Sequence, residues 1–123
     1  MLFKDQTHLK ERLAYWQKLL RLQDWDVIPK IVRREKMTLG GQGECQWGLE
    51  RKEATIRLIG PIDYPDDCSR EQDQELTLVH ELLHLHFAPF SADGGSKEVA
   101  QEQVIQCIAQ ALVSLERKGA ALI

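Results

Sequence analysis

Two histidines and a glutamate within five residues, His80-Glu81-Leu82-Leu83-His84, are the side chains best placed in this chain to do chemistry. The segment reads H-E-x-x-H inside an apolar, helix-forming stretch. On an α-helix, residues four apart lie one turn above each other on one face. His80 and His84 can therefore aim two imidazoles at one point, as a tetrahedral zinc ion requires of two of its ligands. Glu81 is rotated about 100° from His80. That direction suits a base that takes a proton from a water at the metal rather than a third ligand.

A catalytic zinc usually takes three protein ligands and keeps a fourth position open. Downstream candidates for the third are His86, Asp93, Glu98, Glu102 and Glu116. His86 lies on a different face of the same helix, and Asp93 suits a turn beside Gly94. Glu98 and Glu102 open the next helix and share one of its faces. Glu102 also continues a stripe through Ile105, Ala109 and Leu112, where a carboxylate is costly unless paired or bound to metal. The burial argument therefore favours Glu102. Glu98 is the alternative ligand, or a partner that orients a ligating histidine.

The elements that must position these residues can be read from periodicity. Residues 5 to 22 carry Leu9, Leu13, Trp16, Leu19 and Leu20 at helical spacing, with Asp5 or Thr7 as cap. Residues 25 to 34 change to a strand pattern, and Pro29 argues for an edge. A weak strand over 44–50 and a strong one over 54–59 flank a hairpin turn at Arg51-Lys52-Glu53. Thr55, Arg57 and Ile59 would face one way, Ile56 and Leu58 the other. The sheet is expected to be three-stranded and mostly antiparallel. A Pro- and Asp-rich link, 60–68, leads to the motif helix, with Ser69 and Gln72 as a capping box. That helix ends near Pro89, a glycine-bearing loop follows, and a last helix spans roughly 97 to 117 with Gly119 as its stop. The fold class is α+β, in one domain over residues 1–123.

Composition narrows the setting. The chain has 123 residues, enough for one small core. Its 16 Lys and Arg against 19 Asp and Glu leave a net charge of −3, so nucleic acid is not the expected partner. The cluster Lys30, Arg33, Arg34 and Lys36 is read as solvated strand ends. Cys45, Cys68 and Cys107 form neither a C-x-x-C pair nor a disulfide framework, which favours a reducing compartment. The polar N-terminus lacks a signal-peptide hydrophobic region, and no apolar run reaches membrane-spanning length. A cytoplasmic protein with no membrane contact and no pro-segment is expected. Trp16, Trp25 and Trp47 are expected in the core.

HELLH, a short linker and then a glutamate opening a second helix resemble the gluzincin clan of zinc metallopeptidases. The element order is similar to that of the clan's minimal members. These include the minigluzincins, small metallopeptidases encoded by phages and mobile elements, and, more distantly, the ImmA/IrrE-like and SprT-like metallopeptidases. The resemblance covers the whole chain in element order and is specific at 80–84. It lacks the metzincin third histidine, since His84 is followed by Leu85-His86-Phe87-Ala88-Pro89. It also lacks the cysteine pairs of a zinc ribbon and the E-A-N-x-F-A pattern of ImmA-type proteins, having Glu102-Gln103-Val104-Ile105-Gln106-Cys107 instead.

The resemblance implies zinc held by His80, His84 and a downstream glutamate, with Glu81 as general base in peptide-bond hydrolysis. Tyr64, His86 and Arg57 are candidates for the donor that stabilises the oxyanion, each with a structural or solvated role as the alternative. Related peptidases hold a protein or peptide substrate as an added strand on a sheet edge, and 54–59 is the expected edge here. The competing reading is a catalytically inactive or regulatory zinc-binding module that acts through a protein partner. Glu81 argues against it, because a purely structural site has no use for a base there.

Overall fold

The computed structural model describes residues 1–90 and 99–122, the last two as backbone only. Glu98 and the Asp93-Gly94-Gly95 turn expected from the sequence lie outside the described residues.

Helix α1 spans Gln6–Leu19, and the Asp5 side chain caps it by accepting from the His8 N–H at 2.8 Å. Its spacing puts Leu9, Leu13 and Trp16 on one buried face. Strand β1 follows at Asp26–Val32, β2 at Gly43–Gly48 and β3 at Glu53–Ile59. Helix α2 spans Gln74–Phe87 and α3 spans Val99–Leu122. The class is α+β, as the sequence implies.

The spatial order of the strands is β1-β3-β2. The sheet is mixed: β2 and β3 form the antiparallel hairpin, while β1 pairs with β3 in parallel, Pro29 opposite Ile56. The chain reaches this order because β2 crosses to the far side and β3 returns into the gap between. Pro29 sits on the edge strand β1, where its missing N–H is harmless, and its carbonyl accepts from Gln6 Nε2 at 3.0 Å. Strand β3 is therefore central. Its N–H and C=O groups are taken by neighbours on both sides, so the expectation of a substrate strand along 54–59 is corrected. Among the described residues, the free edge nearest α2 belongs to β2.

The helices cover one face of the sheet. Ala54, Ile56 and Leu58 of β3 pack under Leu78, Val79, Leu82, Leu83 and Leu85 of α2, with Ile105, Ala109 and Val113 of α3 closing the core. Thr55 and Arg57 face the other way, as the alternation requires, but Ile59 is also buried. Its carbonyl accepts from the side-chain amides of both Gln72 and Gln74. Gln72 is thereby turned toward the sheet and is not the second member of a capping box with Ser69. Helix α2 begins one turn later, capped by Asp73, whose side chain accepts from the Leu76 N–H at 3.1 Å. The last helix also runs past Gly119. Ile108 and Leu115 on it are exposed, and Val113 takes the inward position. Trp16 and Trp25 are core residues, whereas Trp47 is only half-buried. Among the described residues, no helix is long and apolar enough to cross a membrane.

Candidate metal centre

One turn of α2 separates His80 from His84, and their ring centroids stand 5.2 Å apart. Helix α3 packs alongside and brings Glu102 to both. His80 Nε2 lies 3.0 Å from Glu102 Oε2, and His84 Nε2 lies 3.0 Å from Glu102 Oε1. The three donor atoms all fall within 4.8 Å of one another. Of the sequence-derived ligands, His80, His84 and Glu102 are thus brought together.

Gln106 joins them, one helical turn past Glu102. Its Oε1 is 2.7 Å from His80 Nδ1. Sequence reading missed this residue, although the i, i+4 spacing from Glu102 would have marked it. The Gln106 amide thus holds the His80 ring with Nε2 turned toward Glu102. A ring nitrogen and a carboxylate oxygen at that distance share a proton or a cation between them. Two imidazole nitrogens and one carboxylate are also a donor set that suits zinc. The residues present therefore fit a bound zinc ion.

Glu81 points away from the ligand face and is buried, with 7% of its surface exposed. It lines the same cleft, a hollow of about 1170 Å³ that also holds His80, His84 and Glu102. Strand β2 forms a wall of that cleft. Gly43, Cys45 and Trp47 alternate onto the side facing α2, while Glu44 and Gln46 face the other way. A Cβ at Gly43 would stand 2.5 Å from Thr77 Cγ2 and 3.2 Å from Glu81 Oε2, so the strand passes α2 at the base with no room to spare. Burial, reinforced by the charge of Glu81, pushes the Cys45 thiol well up, so it stays protonated at neutral pH. The Trp47 ring lies nearly parallel to His84, 18° between planes and 6.3 Å between centroids.

The main chain of β2 adds a second element. The Ile59 N–H donates to the Gln42 carbonyl at 2.9 Å, which makes 42 and 59 a hydrogen-bonded antiparallel pair. With Gly43 opposite Leu58, Cys45 opposite Ile56 and Trp47 opposite Ala54, the alternation leaves the N–H and C=O groups of Gly43, Cys45 and Trp47 facing outward. The same residues whose side chains face the cleft thus offer their peptide groups at its edge.

Of the three oxyanion-donor candidates, only Tyr64 lines the cleft, with its hydroxyl donating to the Arg70 carbonyl at 2.8 Å. His86 lies elsewhere, on the surface, with Nε2 2.8 Å from the Leu20 carbonyl oxygen. Arg57 is held on the outer sheet face by Glu44 and Gln46. Glu44 is a buried carboxylate that also accepts from the N–H groups of Thr38 and Leu39, at 2.8 and 2.9 Å. Burial works to raise its carboxyl, but these hydrogen bonds outweigh it and hold the group below its ordinary range. Glu44 so fixes the 38–39 backbone where the chain enters the cleft rim. No family model, curated protein or solved structure matches the chain.

Proposed function

We propose that this protein is a zinc-dependent metallopeptidase that hydrolyses peptide bonds, in keeping with its resemblance to the gluzincin clan. The observation that carries the reading is the Glu102 carboxylate, with one oxygen 3.0 Å from His80 Nε2 and the other 3.0 Å from His84 Nε2, in a cleft that also holds the buried Glu81. His80, His84 and Glu102 hold the ion, and Gln106 keeps the His80 ring turned toward it. Zinc bound there supplies Lewis acidity, which lowers the pKa of water and polarises a carbonyl.

The peptide lies as an added strand on the free edge of β2, bonded to the outward groups of Gly43, Cys45 and Trp47. Main-chain bonding gives affinity with little dependence on sequence. Glu81 takes a proton from the attacking water as its oxygen bonds to the peptide carbon. The carbon–nitrogen bond then breaks, and Glu81 gives that proton to the departing amine. Burial beside Gly43 excludes bulk water from the carboxylate and fixes its direction.

The test is metal analysis and proteolysis together. Purified protein prepared without chelator is expected to carry one zinc and to cleave an unfolded protein substrate. Glu81→Gln should keep the zinc and lose cleavage, and His84→Ala should lose both. Zinc-free unmutated protein would overturn the reading. Zinc with no cleavage would leave a metal-binding module that acts through a partner.

A further inference from the structure

We propose that Trp47 sets substrate preference in this cleft by favouring an aromatic or large apolar side chain on the acyl side of the cleaved bond. The occupant rests on the peptidase reading; the preference itself rests on the position of Trp47. This residue is half-buried on the free edge strand, and its ring lies nearly parallel to the His84 ring. It lines the cleft that holds His80, His84 and Glu102. Trp47 is thus a ridge on the wall of that cleft, with an apolar ring facing the path of any chain laid on β2.

Geometry fixes which substrate residue meets that ridge. The outward peptide groups of Trp47 pair with one residue of the added strand. Side chains directly opposite on one face of a strand pair come within about 5 Å of each other. Antiparallel pairing is the more stable arrangement, so the peptide runs against β2, its N-terminal part beside Trp47 and its C-terminal part beside Gly43. Glu81 sits at Gly43. That places the proton carrier on the side of the departing amine, where the chemistry needs it. The acyl side then lies toward His84 and Trp47. An aromatic side chain there gains ring–ring contact beyond simple burial, worth about tenfold in affinity.

The test uses binding and cleavage separately. Zinc-loaded Glu81→Gln protein is titrated calorimetrically with two capped, alanine-rich octapeptides that differ only in a central Phe or Gly. The Phe peptide should bind about tenfold more tightly. Adding Trp47→Ala should abolish that difference at unchanged zinc content, and Trp47→Phe should restore most of it, which also guards against a folding defect in the alanine variant. In digests by the unmutated protein, mass spectrometry should find the Phe on the N-terminal product. Equal binding of the two peptides, a preference that survives Trp47→Ala, or Phe on the C-terminal product would each overturn the proposal. Selective binding without any cleavage would overturn the hydrolytic reading and leave the Trp47 preference standing.

Discussion

Gly43 and Glu81 meet across the wall of the cleft with no room for a methyl group between them. A methyl carbon on Gly43 would lie 3.2 Å from Glu81 Oε2 and only 2.5 Å from Thr77 Cγ2. Thr77 is on α2, one turn before Glu81, so an added methyl group pushes on both side chains at once. Gly43→Ala should therefore displace Glu81 while leaving His80 and His84, on the other face of α2, alone. The expected result is zinc bound at full stoichiometry with peptide hydrolysis reduced about 100-fold, the scale of an ångström's misplacement of a catalytic group. Overpacking should also lower stability by about 1–3 kcal/mol. Activity within a factor of two of the unmutated protein would mean that this contact does not position Glu81.

Gln106 offers a cleaner separation of metal holding from catalysis. Its contact with His80 Nδ1 fixes the ring direction. Gln106→Ala should weaken zinc binding about 10–100-fold, measured by competition with a chromophoric chelator. Saturating zinc should then restore most of the hydrolysis rate. A variant with unchanged zinc affinity would show that the amide contact does not tune the site.

The cluster of His80, His84 and Glu102 is legible in the sequence because helical spacing is local. His80 and His84 are one turn apart, and Glu102 interrupts an apolar stripe that Ile105 and Ala109 continue inward. What resists reading depends on pairings between distant segments. Strand 54–59 has the strongest strand pattern in the chain, and that strength comes from being buried in the middle of the sheet, not from being an edge. Only the parallel pairing of β1 with β3 reveals this, and with it the role of Gly43, Cys45 and Trp47. The start of α2 escapes the sequence for a similar reason, because Gln72 turns to a carbonyl on β3. Glu75, an acid near the start of α2, is almost fully buried.

Glu75 ties the three helices together. It accepts from Arg12 Nε at 2.6 Å and from Trp16 Nε1 at 3.1 Å, and Arg117 of α3 approaches its other oxygen at 3.7 Å. Glu75→Ala would leave the buried Trp16 N–H without its acceptor, while Arg12 keeps Glu116 at 3.4 Å. The expected loss is about 2–3 kcal/mol, or roughly 10 °C in Tm. Calorimetric melts of this variant beside Glu116→Ala would check it, since the half-exposed Glu116 pair should cost under about 1 kcal/mol. Equal losses would show that burial of Glu75 adds nothing.

Asp73 links the start of α2 to pH. Partial burial works to raise its carboxyl, but the paired hydrogen bonds from Arg117, at 2.8 and 2.9 Å, and the Leu76 N–H outweigh it. The folded carboxyl is held below its ordinary range, so folding favours the charged form. Its contribution is then full above the unfolded value, near 3.9, and is lost as pH falls through the folded one. Asp73→Asn keeps a good capping residue but removes the charge. At pH 7 and pH 5 the variant should be less stable by about 1 kcal/mol, and the gap should shrink as pH falls below the unfolded value. Urea midpoints across that range, taken with chelator so that proton release by metal binding does not contribute, would test it. A gap that stays constant down to pH 2 would mean the loss comes from the cap geometry and not from the ion pair.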